Sequence, residues 1–218
     1  MMNKTKIIYI VSLFFVLAAF SSCQKNEKRL PILGPKQVQA GMNADTQDTT
    51  YHTIPDFAFV DQDSSVVTRD TFKEGIYVAD FFFTTCPSIC PIMKTQMLRV
   101  YDKYEGNNKV KSLSHSIDPE HDTVAVLKAY AERLGVKSKQ WHFVTGDRQA
   151  IFEIAQSSYM VSAAEDRTAP GGAVHSGAFI LIDSKGRIRG YYDGTKAKDV
   201  DKLMKDMDLL LKEESTRI

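Results

Sequence analysis

The segment Gly75–Phe83, GIYVADFFF, constrains this chain more than any other stretch. It is a near-continuous apolar run of strand length, rich in aromatic and β-branched residues, and it shows no polar face. Such a strand is buried on both sides, which places it in the middle of a sheet whose two faces are covered. The run ends in Thr84-Thr85-Cys86-Pro87-Ser88-Ile89-Cys90-Pro91, and a helical pattern follows over Pro91 to Tyr104.

The rest of the chain is read around that strand. Ile54 to Val60 reads as a short strand, Asp61 to Ser64 as a turn and Ser65 to Thr68 as a return strand. Val110 to Ile117 is the next strand. Asp122 is placed to cap a helix whose apolar face is Val124, Leu127, Tyr130, Ala131 and Leu134, with Gly135 as its stop. Trp141 to Val144 reads as a strand and Asp147 to Tyr159 as a helix. Ala163 to Gly172 reads as a polar Gly-Pro insertion. Ser176 to Ile182 and Ile188 to Tyr192 form a hairpin through Asp183–Gly186. A last helix carries the stripe Val200, Leu203, Met204, Met207 and Leu211, its charges forming a solvated face. The order β-β-β-α-β-α-β-α-β-β-α predicts an α/β fold: a thioredoxin-like three-layer sandwich with N-terminal strand additions.

The first 22 residues read differently. Lys4 and Lys6 precede an uncharged apolar run from Ile7 to Phe20, which is short for a bilayer span of about 20 residues. This is the pattern of a secretory signal, residues 1–22, ending in small residues directly before Cys23. That ending resembles a lipoprotein signal, in which the cysteine is acylated and becomes the mature N-terminus; an uncleaved anchor helix is the alternative. Gln24 to Thr50 is polar and without hydrophobic period. Residues 23–50 are therefore expected to be a flexible tether, and residues 51–218 the folded domain. The 218-residue chain has a formal charge of +1, so it offers no basic field for nucleic acid.

Three cysteines are present, and they divide into Cys23 and the pair Cys86/Cys90. Three cannot make a disulfide framework. The pair stands where a buried strand meets the start of a helix. Exposed amides at a helix start favour thiolate, and Pro91 suits the first helical position, where no amide donor is required. Two thiolates there can bind a soft metal or close a disulfide; a purely structural pair is the competing reading. The spacing is CxxxC, one residue longer than that of redox thioredoxins.

Two sulfurs need a further ligand to hold oxidised copper well, and imidazole is suited to the task. His175 heads the strand 176–182 directly after the Gly-rich loop and is the leading candidate. His115 alternates in phase with Leu113 and Ile117, which reads as a core histidine, yet it stands near the end of a strand expected to run parallel to Gly75–Phe83, which places it toward the cysteines as an additional ligand candidate ranked well below His175. His52, His121 and His142 read as structural or surface groups. Met93 reads as core packing. Asp118, Glu120 and Asp122 read as turn and cap residues rather than an acid/base set.

Thr85-Cys86-Pro87-Ser88-Ile89-Cys90-Pro91 resembles the TxCPxxCP motif of Sco/SenC copper proteins. Ser116-Ile117-Asp118-Pro119-Glu120-His121-Asp122-Thr123 is similar to that family's S-[VI]-D-P-E-R-D-T segment. Trp141 with Thr145-Gly146, and Val174-His175-Ser176 with Phe179–Asp183, match two further stretches in the right order. The resemblance implies a thioredoxin-like fold that binds Cu(I) or Cu(II) through Cys86, Cys90 and His175, and a role in assembling the dinuclear copper centre of cytochrome c oxidase. It implies attachment to a membrane, here through lipid on Cys23, with the domain outside the cytoplasm of a bacterial cell, in the periplasm. Ser88 stands where many members have Asp, and His121 where they have Arg.

The expected function is that of a copper metallochaperone whose partner is the copper-accepting oxidase subunit, acting as a monomer. The alternative is a thiol-disulfide oxidoreductase that reduces that subunit's cysteines through a Cys86–Cys90 disulfide. A peroxidase, hinted at by Pro55-Asp56-Phe57, fits the paired cysteines less well.

Overall fold

The computed structural model describes residues 29–40, 47–137, 139–165 and 173–216. The signal segment 1–22 and Cys23 lie outside the described residues.

A seven-stranded sheet is built from β3 (Ala58–Asp61), β4 (Val66–Thr68), β5 (Ile76–Phe82), β6 (Val110–Ser116), β7 (Trp141–Thr145), β10 (Ala178–Ile182) and β11 (Ile188–Asp193), in the spatial order β11-β10-β5-β6-β7-β3-β4. β5, β6 and β7 run parallel, and every residue of β5 is buried, as its composition requires. β10 joins the other side of β5 antiparallel, and β11 returns along β10. The strand additions β3 and β4 lengthen the sheet beyond β7, also antiparallel. Gly75 lies so close to the Lys109 carbonyl that a Cβ would meet its oxygen at 2.1 Å; only glycine lets the chain enter β5 there.

Alternation along the central strands sorts the core into two halves. On one face, Asp80, Phe82, Ser112, Ser114, Trp141 and Phe143 lie under helices α1 (Ile89–Tyr104), α2 (Val124–Leu134) and α4 (Ala197–Ser215). On the other, Tyr77, Phe81 and His115 meet Phe57, Phe59, Phe72 and Tyr159. This is the thioredoxin-like three-layer arrangement that the order of elements predicts. α1 buries Cys90, Met93, Lys94, Met97, Val100, Tyr101 and Tyr104 at helical spacing. α2 stops at Gly135, whose φ of 70° supplies the left-handed cap. After α3 (Arg148–Glu153) the helix widens into a π-turn over Ile154–Ser158.

The structure adds to three expectations. Among the described residues, elements form before Tyr51: β1 (Lys36–Ala40) pairs with β2 (Gln47–Tyr51), Leu33 bridges Ile188 of β11, and Leu30 and Leu33 pack on the core. The insertion is not simply a loop, because β8 (Ala163–Glu165) pairs with β9 (Ala173–His175) as the base of a hairpin; residues 166–172 lie outside the described residues. The α4 stripe gains Leu210, with Met204 and Leu211 partly buried against the core at its margin, and it ends on a buried charge, Glu213. Amphipathic reading discards a charge from a core stripe; here Arg189 pairs with Glu213 at 2.6 Å and makes its burial tolerable.

Candidate metal centre

β5 delivers the chain to the cysteine loop, and three side chains brace that loop from behind. Thr84 donates its amide to Asp122 Oδ2 at 3.0 Å and its hydroxyl to Oδ1, while the Ser116 hydroxyl donates to Oδ2 at 2.5 Å. Asp122 is fully buried. Its expected role as helix cap falls to Thr123, whose hydroxyl accepts from the Val126 amide. Asp122 instead ties the end of β5 to the end of β6, which holds the start of the cysteine loop in place. Short polar side chains next to a helix look alike in sequence whether they cap it or bridge two strands, so the pattern alone did not separate them.

Cys86 precedes α1 and Cys90 is its second residue, so Pro91 occupies the third helical position rather than the first. That is still within the first turn, where amides lack an intrahelical acceptor. Cys86 and Cys90 are both thiols, not joined in a disulfide. Burial acts to raise the Cys86 pKa, but it is outweighed by hydrogen bonds to the sulfur from the Cys90 thiol, the Ser88 and Cys90 amides and the Ser88 hydroxyl, so the thiol is held below its ordinary value. The Ser88 Oγ lies 3.7 Å from Cys86 Sγ. Cys90 behaves oppositely. Burial pushes it up to about 12, and the hydrogen bond shared with Cys86 adds to the rise. The helix-start effect read from the sequence therefore acts on one sulfur and not on both, because Cys90 is drawn into the core face of α1.

Beneath Cys90 lies an ionic group that sequence reasoning missed. Lys94 donates to Asp80 Oδ2 at 2.6 Å and to Ser114 Oγ at 2.9 Å; Ser114 also donates to Asp80, and Trp141 Nε1 donates to Ser114 at 2.9 Å. The Lys94 ammonium sits 4.1 Å over the Phe82 ring. The available signal was an Asp inside an otherwise apolar central strand and a Lys at a core position of the next helix.

The histidines separate. His115 is fully buried, packed 4.9 Å from the Phe81 ring and 5.3 Å from Phe59, and neither ring nitrogen has a hydrogen-bond partner. Desolvation drives its pKa down to about 3. It lies on the face of the sheet opposite Lys94, and among the described residues no three His, Cys, Asp or Glu side chains gather where they could hold a metal ion. The core-histidine reading accounts for its burial and its ring packing. His175 ends β9, paired through its backbone with Ala163; its side chain lies outside the described residues. The chain that follows it returns to the cysteines: a Cβ added at Gly177 would lie 3.9 Å from Cδ1 of Ile89, the residue before Cys90. A groove of about 470 Å³ lined by Ile89, Gly177, Ala178 and Tyr191 runs beside that junction.

The model of the SCO1/SenC family matches residues 45–212. The chain belongs to the SCO1/SenC family. Among curated proteins, the SCO1 protein homolog of Bacillus subtilis is 30% identical over 166 residues, covering 74% of this chain and 84% of that one. Among solved structures, a SCO1/SenC family lipoprotein from Bacillus anthracis superposes with a TM-score of 0.66 at 27% identity, over 73% of this chain and 95% of the other. A structure described by a disulfide switch in BsSco, a member of the Sco family of cytochrome c oxidase assembly proteins, gives 0.64 at 29% identity over 76% and 94%. Bradyrhizobium japonicum ScoI with copper bound gives 0.58 at 26% identity over 73% and 99%. In SCO1/SenC terms, the buried Asp80–Lys94 pair and the Asp122 brace are the supports of the cysteine loop in this member.

Proposed function

We propose that the chain is a membrane-tethered copper metallochaperone that serves the dinuclear copper centre of cytochrome c oxidase. The observation that carries the reading is the pair of hydrogen-bonded thiols at the head of α1, Cys86 held below its ordinary pKa by the bonds to its sulfur and Cys90 raised by burial. Two adjacent soft sulfurs suit Cu(I), and an imidazole suits Cu(II). Cys86, Cys90 and His175 would hold the ion. The approach of Gly177 to Ile89 supports His175, because it leaves only one residue between the histidine and the wall of the cysteine loop. The copper-bound Bradyrhizobium relative supports the choice of metal.

Closing a Cys86–Cys90 disulfide, with the two electrons and two protons passing to a partner disulfide that becomes two thiols, removes both sulfur donors, so copper loading depends on the redox state of the pair. Copper titration of the reduced protein tests the ligand set. The wild type should take up one copper ion. Cys86→Ser or Cys90→Ser should lose Cu(I) binding, and His175→Ala should lose the thiolate-to-Cu(II) charge-transfer absorption. An unchanged spectrum in His175→Ala would overturn that ligand.

The unequal thiols also favour a second reading, a thiol-disulfide oxidoreductase. Cys86 as thiolate would attack a disulfide of the oxidase subunit, and Cys90 would then displace the partner's sulfur, leaving two thiols on the partner and a disulfide here. This activity requires no histidine. A His175→Ala variant that still supports oxidase assembly favours reduction; one that fails with its disulfide potential unchanged favours delivery.

The cellular setting belongs to the same proposal. Residues 1–22 are a signal, Cys23 carries lipid, and the domain works as a monomer in the periplasm. The Bacillus anthracis relative, described as a lipoprotein, supports the lipid.

A further inference from the structure

Arg189 is 2% exposed, and two of the four hydrogen bonds of its guanidinium go to the chain's own N-terminal segment. Its Nη2 donates to the Leu30 carbonyl at 2.7 Å and its Nε to the Pro31 carbonyl at 3.0 Å. Its other bonds go to Glu213 at 2.6 Å and Asp183 at 3.1 Å. Glu213 closes the ring by accepting the Leu30 amide at 2.6 Å, and the Leu33 amide donates to the Ile188 carbonyl at 2.8 Å. Two buried charges from different elements thus clamp a four-residue strap, Leu30–Leu33, whose polar backbone could as well have remained in water.

The clamp has a definite place in the fold. β11 runs alongside β10, which is antiparallel to β5, so β11 and β5 point the same way. Ile188 and Arg189 begin β11 and lie at the end where β5 starts, whereas the cysteines follow the other end of β5. A six-residue strand is about 20 Å long. The strap therefore enters the domain at the end opposite the thiols.

We propose that this end of the domain faces the lipid surface and that the clamp orients the cysteine end away from it. The inference rests on the reading that Cys23 carries lipid. From Cys23 to Arg29 the chain reaches at most about 20 Å fully extended. A leash of 28 residues would let the domain tumble; one ending at a clamp at Leu30 does not. Lys25, Lys28 and Arg29 fall within the leash, where anionic headgroups attract basic residues.

The test uses the full lipidated chain in phosphatidylcholine–phosphatidylglycerol vesicles that carry a rhodamine headgroup acceptor. With Cys86 and Cys90 replaced by Ser, a donor dye is placed at the exposed clamp end through Lys185→Cys, or at the exposed start of α4 beside the cysteine end through Lys198→Cys. Energy transfer should be higher from position 185 than from position 198. Inserting a long Gly-Ser spacer between Lys28 and Arg29 should abolish the difference. Equal or reversed transfer with Cys23 shown by mass spectrometry to be acylated would overturn the orientation, and so would a difference that survives the spacer. An unacylated Cys23 overturns the lipid reading itself.

Discussion

The Lys94 ammonium lies 2.6 Å from the Asp80 carboxylate, with both side chains almost fully buried one helical turn beyond Cys90. A pair of this kind contributes little net stability over an apolar core, yet removing one partner strands the other charge away from water. Asp80→Asn or Lys94→Met should therefore cost about 3–5 kcal/mol. The double variant Asp80→Leu with Lys94→Met should cost much less than the two single changes together. Urea unfolding of the four proteins checks this, and additive losses would contradict it.

Selective alkylation reads the unequal thiols. Cys86 is held below its ordinary pKa and Cys90 is raised to about 12, so near neutral pH the reduced apoprotein should react with iodoacetamide at Cys86 at least about tenfold faster than at Cys90. Peptide mapping at short reaction times measures the ratio. Equal labelling would show that the hydrogen bonds around Cys86 do not form.

His115 gives the fold a pH dependence of known sign. Its folded pKa of about 3 lies below the ordinary 6.5, so the unfolded chain binds the proton more readily. The contribution is complete above about pH 6.5 and is lost as the pH falls toward 3. His115→Phe, which suits the surrounding rings, should flatten stability against pH in that window while leaving copper binding intact. A variant that loses Cu(II) absorption would return His115 to the ligand set.

Asp122→Ala should leave three donors, the Thr84 amide, the Thr84 hydroxyl and the Ser116 hydroxyl, without their acceptor. The expected loss is about 1–3 kcal/mol, with faster hydrogen exchange at the Thr84 amide. If Asp122 acted only as a helix cap, exchange would instead rise in the first turn of α2.

The central strands, the order of elements and the thiol pair were legible because each rests on a strong local signal: an all-apolar run, a helical period, a CxxxC at a strand-to-helix junction. What escaped depends on partners far apart in the chain. Arg189 and Glu213 are separated by 24 residues, and Arg189 and Leu30 by 159, so neither segment alone announces the clamp. Asp80 stands in an otherwise apolar strand, and its counter-charge, Lys94, lies on the next helix, 14 residues on. The polar segment before Tyr51 carries too few apolar residues to show a period, yet two leucines and four backbone groups are enough to dock it.

The Leu33–Ile188 bridge also bears on how a soluble form of this protein should be cut. A boundary at Tyr51, the natural choice from hydropathy, removes the strap and opens the outer edge of β11 at Ile188. It also strips Arg189 of two carbonyl acceptors. An uncovered edge strand pairs readily with another copy of itself. A fragment beginning at Tyr51 should form dimers or aggregates through β11, and its association state would then describe the cut rather than the protein. A fragment beginning at Arg29 keeps the bridge to Ile188 and both acceptors of Arg189.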